Sequence, residues 1–113
     1  MHNENQLRPG ESLKPYEFLL SSHGPYMLMY QSDGNLVLYR GAMVDPIWAS
    51  ETQGELPGRT EMQDDGNLVI YNVKNIAVWA SNTFGDSSVL LLQDDGHLVI
   101  NNPDYGVLWD CYA

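Results

Sequence analysis

The sequence predicts an all-β protein built from three antiparallel sheets around a pseudo-three-fold axis, and three observations carry that expectation. The stretch Gln31-Ser32-Asp33-Gly34-Asn35-Leu36-Val37-Leu38-Tyr39 recurs as Gln63-Asp64-Asp65-Gly66-Asn67-Leu68-Val69-Ile70-Tyr71 and, altered, as Gln93-Asp94-Asp95-Gly96-His97-Leu98-Val99-Ile100-Asn101. Trp48, Trp79 and Trp109 follow these stretches at a near-constant distance, so two independent markers share a period of roughly 30 residues. Between the apolar runs, Gly, Pro, Asn and Ser interrupt the chain too often for any window to support a substantial helix.

Taken in order, residues 1–5 are polar and expected to fray. Leu7, Pro9-Gly10, Leu13, Phe18-Leu19-Leu20 and the run from Tyr26 to Met29 are expected to supply strands that feed the first hairpin. In each repeat an apolar run ends at the Gln, an Asp-Gly turn follows, and a second apolar run leaves it. Asp-Gly between alternating apolar residues is a strong hairpin signal, because Gly accepts positive φ and Asp bonds its own turn backbone. A third strand carries the tryptophan: Pro46-Ile47-Trp48-Ala49-Ser50, Ile76-Ala77-Val78-Trp79-Ala80-Ser81 and Gly106-Val107-Leu108-Trp109. Breakers at Gly54, Pro57-Gly58, Asn72, Asn75, Gly85, Asn101-Asn102-Pro103 and Gly106 mark the joins.

One such unit cannot bury its apolar face, whereas three packed about an axis enclose a common core. The tryptophans are the natural filling near that axis, which favours a three-sheet prism over a two-sheet sandwich. Residues 1–113 are expected to form a single domain with internal repeats at about 20–50, 51–82 and 83–113.

Composition narrows the functional classes. Five Lys and Arg stand against fifteen Asp and Glu, a net charge of −10, and the cations are scattered. Nucleic acid and anionic membrane surfaces would repel such a chain. Cys111 is the only cysteine, so packing must hold the fold without an internal disulfide. The N-terminus lacks a basic segment followed by an apolar run, and nothing approaches the roughly 20 apolar residues of a membrane span. The expectation is a soluble chain, cytoplasmic or exported by a non-classical route, with the compartment left open.

Alternation along the outgoing strand places Leu36 and Leu38 inward and Asn35, Val37 and Tyr39 outward. The second repeat copies this, with Leu68 and Ile70 inward and Asn67, Val69 and Tyr71 outward. Gln31 and Gln63 stand across the hairpin from the start of each row, with Asp33 and Asp65 in the turns. The result is a shallow surface holding two amides, a carboxylate, an exposed aliphatic patch and a phenol. A sugar ring suits that mixture: hydroxyls donate to carboxylate and amide oxygens and accept from amide N–H, while Val meets ring C–H groups. A turn needs Asp and Gly but has no use for the Gln before it or the Tyr after it.

The pattern Gln-x-Asp-x-Asn-x-Val-x-Tyr, repeated and followed by Trp-Ala-Ser, resembles the mannose-binding signature of the bulb-type (monocot mannose-binding, B-type) lectin family. The resemblance covers nearly the whole chain and implies the β-prism II fold. It implies that Gln31, Asp33, Asn35 and Tyr39 hydrogen-bond a terminal α-D-mannose while Val37 touches its ring. Gln63, Asp65, Asn67, Val69 and Tyr71 would form the second site. In the third repeat Gln93, Asp95 and Val99 remain, but His97 and Asn101 replace Asn and Tyr, so a weakened site is expected there. The resemblance implies mannose-containing glycans as partners, no metal, no cofactor, and a homodimer as one assembly. The intradomain disulfide of the plant members is impossible here, and few residues follow Trp109 for a C-terminal strand exchange.

Other chemistries fit less well. Asp64-Asp65-Gly66-Asn67 and Asp94-Asp95-Gly96 gather hard oxygens but lack the distal Glu of a helix–loop–helix calcium site. A glycosidase needs two carboxylates facing across a cleft, and turn aspartates on exposed hairpins do not. His2, His23 and His97 have no Ser or Cys at motif spacing, so no enzyme is expected. The rival that stays open is a lectin-like protein-interaction or structural module whose sugar sites have drifted. Cys111 is expected to be a buried small apolar residue.

Overall fold

Leu7, Leu13 and Leu19 are evenly spaced along the N-terminal run, and each is fully buried against a different sheet. A computed structural model describes residues 4–112 and contains twelve strands. The short leading strands are β1 (Gln6–Leu7), β2 (Ser12–Leu13) and β3 (Phe18–Leu20). The first repeat gives β4 (Tyr26–Tyr30), β5 (Leu36–Arg40) and β6 (Asp45–Ala49). The second gives β7 (Pro57–Met62), β8 (Leu68–Asn72) and β9 (Ala77–Ala80), and the third gives β10 (Val89–Leu92), β11 (Leu98–Asn102) and β12 (Gly106–Asp110).

Three four-stranded antiparallel sheets result, ordered β3-β4-β5-β6, β2-β7-β8-β9 and β1-β10-β11-β12. The N-terminal run therefore does not feed the first hairpin alone. Leu7 pairs with Leu90, Leu13 with Thr60 and Leu19 with Leu28, so one leucine joins each sheet and β1 closes the prism against the last repeat. Glu4 and Asn5, expected to fray, are held: their carbonyls accept from the Leu20 and Leu92 N–H groups at 3.0 and 2.7 Å. Residues 1–3 lie outside the described residues.

The inward leucines and isoleucines of all three hairpins are fully buried in one cluster. Trp48, Trp79 and Trp109 pack against it as the sequence predicts, with ring centroids 6.0, 5.6 and 5.8 Å apart and mutual angles of 74–78°. Each presents an edge to its neighbour's face, the arrangement that an aromatic quadrupole favours. Ile47, Val78 and Leu108, which immediately precede the tryptophans, also pack on the core. Adjacent residues of a regular strand face opposite ways, so this requires an irregularity. Each sheet has one between its last two strands, a register shift at Leu38/Tyr39, Ile70/Tyr71 and Ile100/Asn101. The bulge turns two consecutive apolar side chains inward and re-aims the last residue of the outward row.

Two polar side chains interrupt the core differently. Tyr30, 1% exposed, accepts from the Gly58 N–H at 3.1 Å and donates to the Tyr71 carbonyl at 3.3 Å, tying the first sheet to the second. Burial raises its phenol pKa despite the Gly58 N–H. Thr60 stands where the other repeats have Leu28 and Leu90, and its buried hydroxyl has no hydrogen-bond partner among the described residues.

Candidate sugar-binding site

Each repeat turns on the same frame, Gln-x-Asp-Gly. The N–H of Gly34, Gly66 and Gly96 bonds back to the carbonyl of the preceding Gln at 3.1 Å, with φ near +90°. A Cβ on Gly34 would stand 2.2 Å from the Glu55 carbonyl oxygen, so glycine is required sterically as well as conformationally. The turn aspartates then bond their own backbone: Oδ1 of Asp33, Asp65 and Asp95 accepts from the N–H two residues on at 2.9, 3.0 and 3.0 Å. One carboxylate oxygen is spent on the turn, and the other projects toward solvent from an exposed residue.

The asparagines are oriented by residues far along the chain. Oδ1 of Asn35 accepts from Ser50 Oγ at 3.1 Å and from the Thr52 N–H at 3.2 Å; Oδ1 of Asn67 accepts from Ser81 Oγ at 3.2 Å and from the Asn82 N–H at 2.9 Å. With the oxygen facing the scaffold, each amide presents its NH2 to solvent. Ser50 and Ser81 also accept from the Leu36 and Leu68 N–H groups at 3.0 Å. Thr52 and Thr83 complete the brace, donating to the Gly34 and Gly66 carbonyls at 2.6 and 2.7 Å. Two hydroxyl protons thus serve three close oxygen contacts in each brace, so the serine proton is shared between the asparagine oxygen and the threonine 2.8 Å away.

At the far end of the row, Gln31 Nε2 donates to Tyr39 Oη, and Tyr71 Oη donates to Gln63 Oε1. Gln63 also reaches the Asp65 carboxylate at 3.3 and 3.4 Å. The structure therefore brings Gln31, Asp33, Asn35, Val37 and Tyr39 onto one surface, and Gln63, Asp65, Asn67, Val69 and Tyr71 onto another. One expectation needs correcting: Val37 and Val69 are not an exposed aliphatic patch, since they are 4% and 3% exposed. Each lies on an inner strand of its sheet, paired on both sides, with Met29 and Ala49 or with Glu61 and Ala80. They form the floor between amide and phenol.

The third repeat keeps the turn and the floor, with Asp95 in its turn bond and Val99 only 2% exposed. It differs everywhere that orients a ligand-facing group. Cys111 occupies the serine position, and Leu98 N–H meets its Sγ at 3.5 Å, a longer and weaker contact than the serine bonds. Cys111 is thus half-buried rather than buried, and burial pushes its thiol pKa up. His97 turns its Nδ1 onto Asp110 Oδ2 at 2.8 Å, and Tyr112 sets its ring edge-on, 4.8 Å from the imidazole. Asp110 stands where the other repeats have Ala49 and Ala80. Burial raises its pKa, but the Tyr112 N–H and His97 outweigh this and hold its carboxyl below the ordinary value. Asn101 is exposed and too short to replace the phenol beside Gln93.

The walls beside the first and second rows also differ. Beside Tyr71, the Arg59 guanidinium lies 4.2 Å over the ring, pairs with Glu61 at 2.8 Å and donates to Asn75 Oδ1 at 2.7 Å. Beside Tyr39 the matching strand positions are Met27 and Met29. The braces Ser50–Thr52 and Ser81–Thr83 were signalled by the repeated Trp-Ala-Ser-x-Thr, which marks the period but does not by itself reveal a role. Nothing in the sequence alone flags Arg59 or the methionines. Among the described residues no group of three or more His, Cys, Asp or Glu is arranged to hold a metal, and no helix is long and apolar enough to cross a membrane.

Comparison with known proteins places this geometry. The chain is 43% identical over 81 residues to a mannose-specific lectin of Aloe arborescens, an alignment covering 71% of each chain. It is 38% identical over 79 residues to the B-type lectin plumieribetin of Scorpaena plumieri, covering 70% of this chain and 67% of the relative. Among solved structures it superposes on a monomeric monocot mannose-binding lectin of Gastrodia elata with a TM-score of 0.85 and 37% identity, covering 96% of both chains. It superposes on the mannose-specific agglutinin of snowdrop, Galanthus nivalis, complexed with methyl-α-D-mannoside, with a TM-score of 0.77 and 44% identity, covering 86% and 88%. No family model matches the sequence. On its similarity to these relatives and its three-sheet β-prism II architecture, the chain belongs to the bulb-type (B-type) mannose-binding lectin family.

Proposed function

We propose that this protein is a non-catalytic lectin that binds terminal α-D-mannose through Gln31, Asp33, Asn35, Val37 and Tyr39, and again through Gln63, Asp65, Asn67, Val69 and Tyr71. The observation that carries the reading is the brace behind each asparagine, which fixes an NH2 donor beside a carboxylate oxygen on both hairpins. Vicinal hydroxyls of a pyranose can donate to the Asp oxygen and accept from the Asn amide, with Val beneath the ring and the Gln–Tyr pair closing the far side. These groups are ordered before the ligand arrives, which limits the entropy lost on binding.

Shallow sites of this kind bind a monosaccharide weakly, and affinity for glycans comes from using two sites at once. When a branched glycan or glycoprotein spans them, avidity rises by about 10² or more. A homodimer doubles the number of sites. The third repeat contributes little to mannose binding, because His97 is engaged by Asp110 and Asn101 does not reach Gln93. Isothermal titration with methyl α-D-mannoside tests the proposal. Binding at millimolar concentration that disappears in the Asn35→Asp/Asn67→Asp double variant, with unfolding unchanged, is the expected result. No heat from the unmodified protein with either methyl mannoside or a mannose oligosaccharide would favour the protein-interaction module instead.

A further inference from the structure

A cleft of about 300 Å³ opens from the rim of the first site, lined by Tyr16, Met29, Gln31, Ser32, Asp33 and Met43. Gln31 and Asp33 belong to the first candidate site; the other large side chains are a tyrosine and two methionines. Met29 is almost buried at 8% exposure, whereas Tyr16 and Met43 stand out at 67% and 54%. Both of these adopt positive φ, 73° and 62°, a region that bulky residues rarely occupy. Two such residues on one cleft, exposed where burial offers no compensation, point to a ligand.

The second site shows what the scaffold itself requires. The turns Arg8–Glu11 and Lys14–Glu17 are built alike, each with a backbone N–H at its first residue bonded to the closing glutamate. Gly10 N–H donates to the Met62 carbonyl just as Tyr16 N–H donates to the Tyr30 carbonyl. The left-handed position is thus glycine beside the second site and tyrosine beside the first. Met29 is matched by Glu61, and the left-handed residue of the neighbouring hairpin turn is Asn75 (φ 64°) rather than Met43. Glu61 and Asn75 are both bound to Arg59, so the second site has a polar, charged wall where the first has a tyrosine and two methionines.

We infer that this cleft is a subsite for an aromatic group attached to the bound mannose, present at the first site and missing from the second. The inference rests on the mannose reading of the Gln31–Tyr39 row and adds a ligand class to it. A tyrosine face and two methionine thioethers are favourable partners for an aromatic ring, through offset stacking and sulfur–ring contact. The cleft is about twice the ~150 Å³ that accommodates benzene in an apolar cavity. Its walls suit an aromatic ring better than a flexible alkyl chain, which loses more rotamer freedom on binding.

Titration calorimetry with methyl, octyl and phenyl α-D-mannoside on two single-site proteins tests this. Asn67→Asp leaves only the first site and Asn35→Asp only the second. The phenyl glycoside is expected to bind about tenfold more tightly than the methyl glycoside to Asn67→Asp, the scale of partial burial of one ring after ordering costs. On Asn35→Asp the two should agree within about twofold, and octyl should gain less than phenyl on either protein. Adding Tyr16→Gly to Asn67→Asp, which suits the positive φ and so preserves the turn, should return the phenyl-to-methyl ratio to near one. Met43→Asn should lower that ratio in the same direction. An equal phenyl gain at both sites, a ratio that survives Tyr16→Gly, or an octyl gain as large as the phenyl gain would each overturn the subsite. Loss of all three ligands from both single-site proteins would instead sink the mannose reading itself.

Discussion

The second and third hairpins share a turn, a buried pair of aliphatic residues, a bulge and a core tryptophan, yet only the second keeps its outward row. Leu68 and Ile70 are matched by Leu98 and Ile100, all fully buried, and Trp79 pairs with Ile70 as Trp109 pairs with Ile100. The outward differences are linked. Ser81 gives way to Cys111, which has no strong donor for an asparagine oxygen, and His97 finds its partner in Asp110 instead. The lesson is that a β-strand serves two masters on alternate residues, so packing can hold one face fixed while the other changes chemistry.

That separation can be broken from the core side first, where effects are largest. Leu68→Ala and Leu98→Ala should each cost about 2–5 kcal/mol in denaturant unfolding, because each leaves a cavity in the shared cluster. Equal losses in the two repeats would show that the core does not distinguish them. On the outward face, Ser81→Ala should weaken mannose binding at the second site several-fold and cost about 1 kcal/mol or more, since the Leu68 N–H loses its acceptor. Ser81→Cys, the third-repeat residue, should be milder. Thr60→Val should go the other way and raise stability by about 1 kcal/mol, because the orphaned hydroxyl is replaced by a methyl of similar shape.

The smallest effect belongs to the third repeat and to acid. Asp110 has its carboxyl held low in the folded state, so its contribution is present at neutral pH and is lost as pH falls through that depressed value. As pH falls through that value, the ring resonances of His97 and Tyr112, which contact Asp110 or pack on its partner, should shift. Asp110→Asn should remove the shift.

These expectations also separate what the sequence makes legible from what it hides. The prism, the tryptophan triad and both intact rows follow from a repeat and from alternation, signals that survive in a single sequence because each is stated two or three times. The fourth strand of each sheet does not: β1 and β2 are two residues long, too short for any periodicity, and only Leu7, Leu13 and Leu19 hint at a pattern. The burial of Val37 and Val69 was hidden because alternation gives the direction of a side chain but not what shades it. The brace was hidden because Ser50 reaches back to Asn35 only after the whole third strand has folded alongside. Tyr16 gave no signal, since a left-handed φ at a tyrosine is a property of the turn and cannot be read from residue type.

The central claim is that the outward rows of the first two hairpins read mannose and that of the third does not. Backbone amide NMR during titration with methyl α-D-mannoside tests it most directly. Saturable shifts over residues 31–39 and 63–71, with residues 93–101 unmoved, are the predicted result. Shifts confined to 93–101, or equal in all three hairpins, would contradict it.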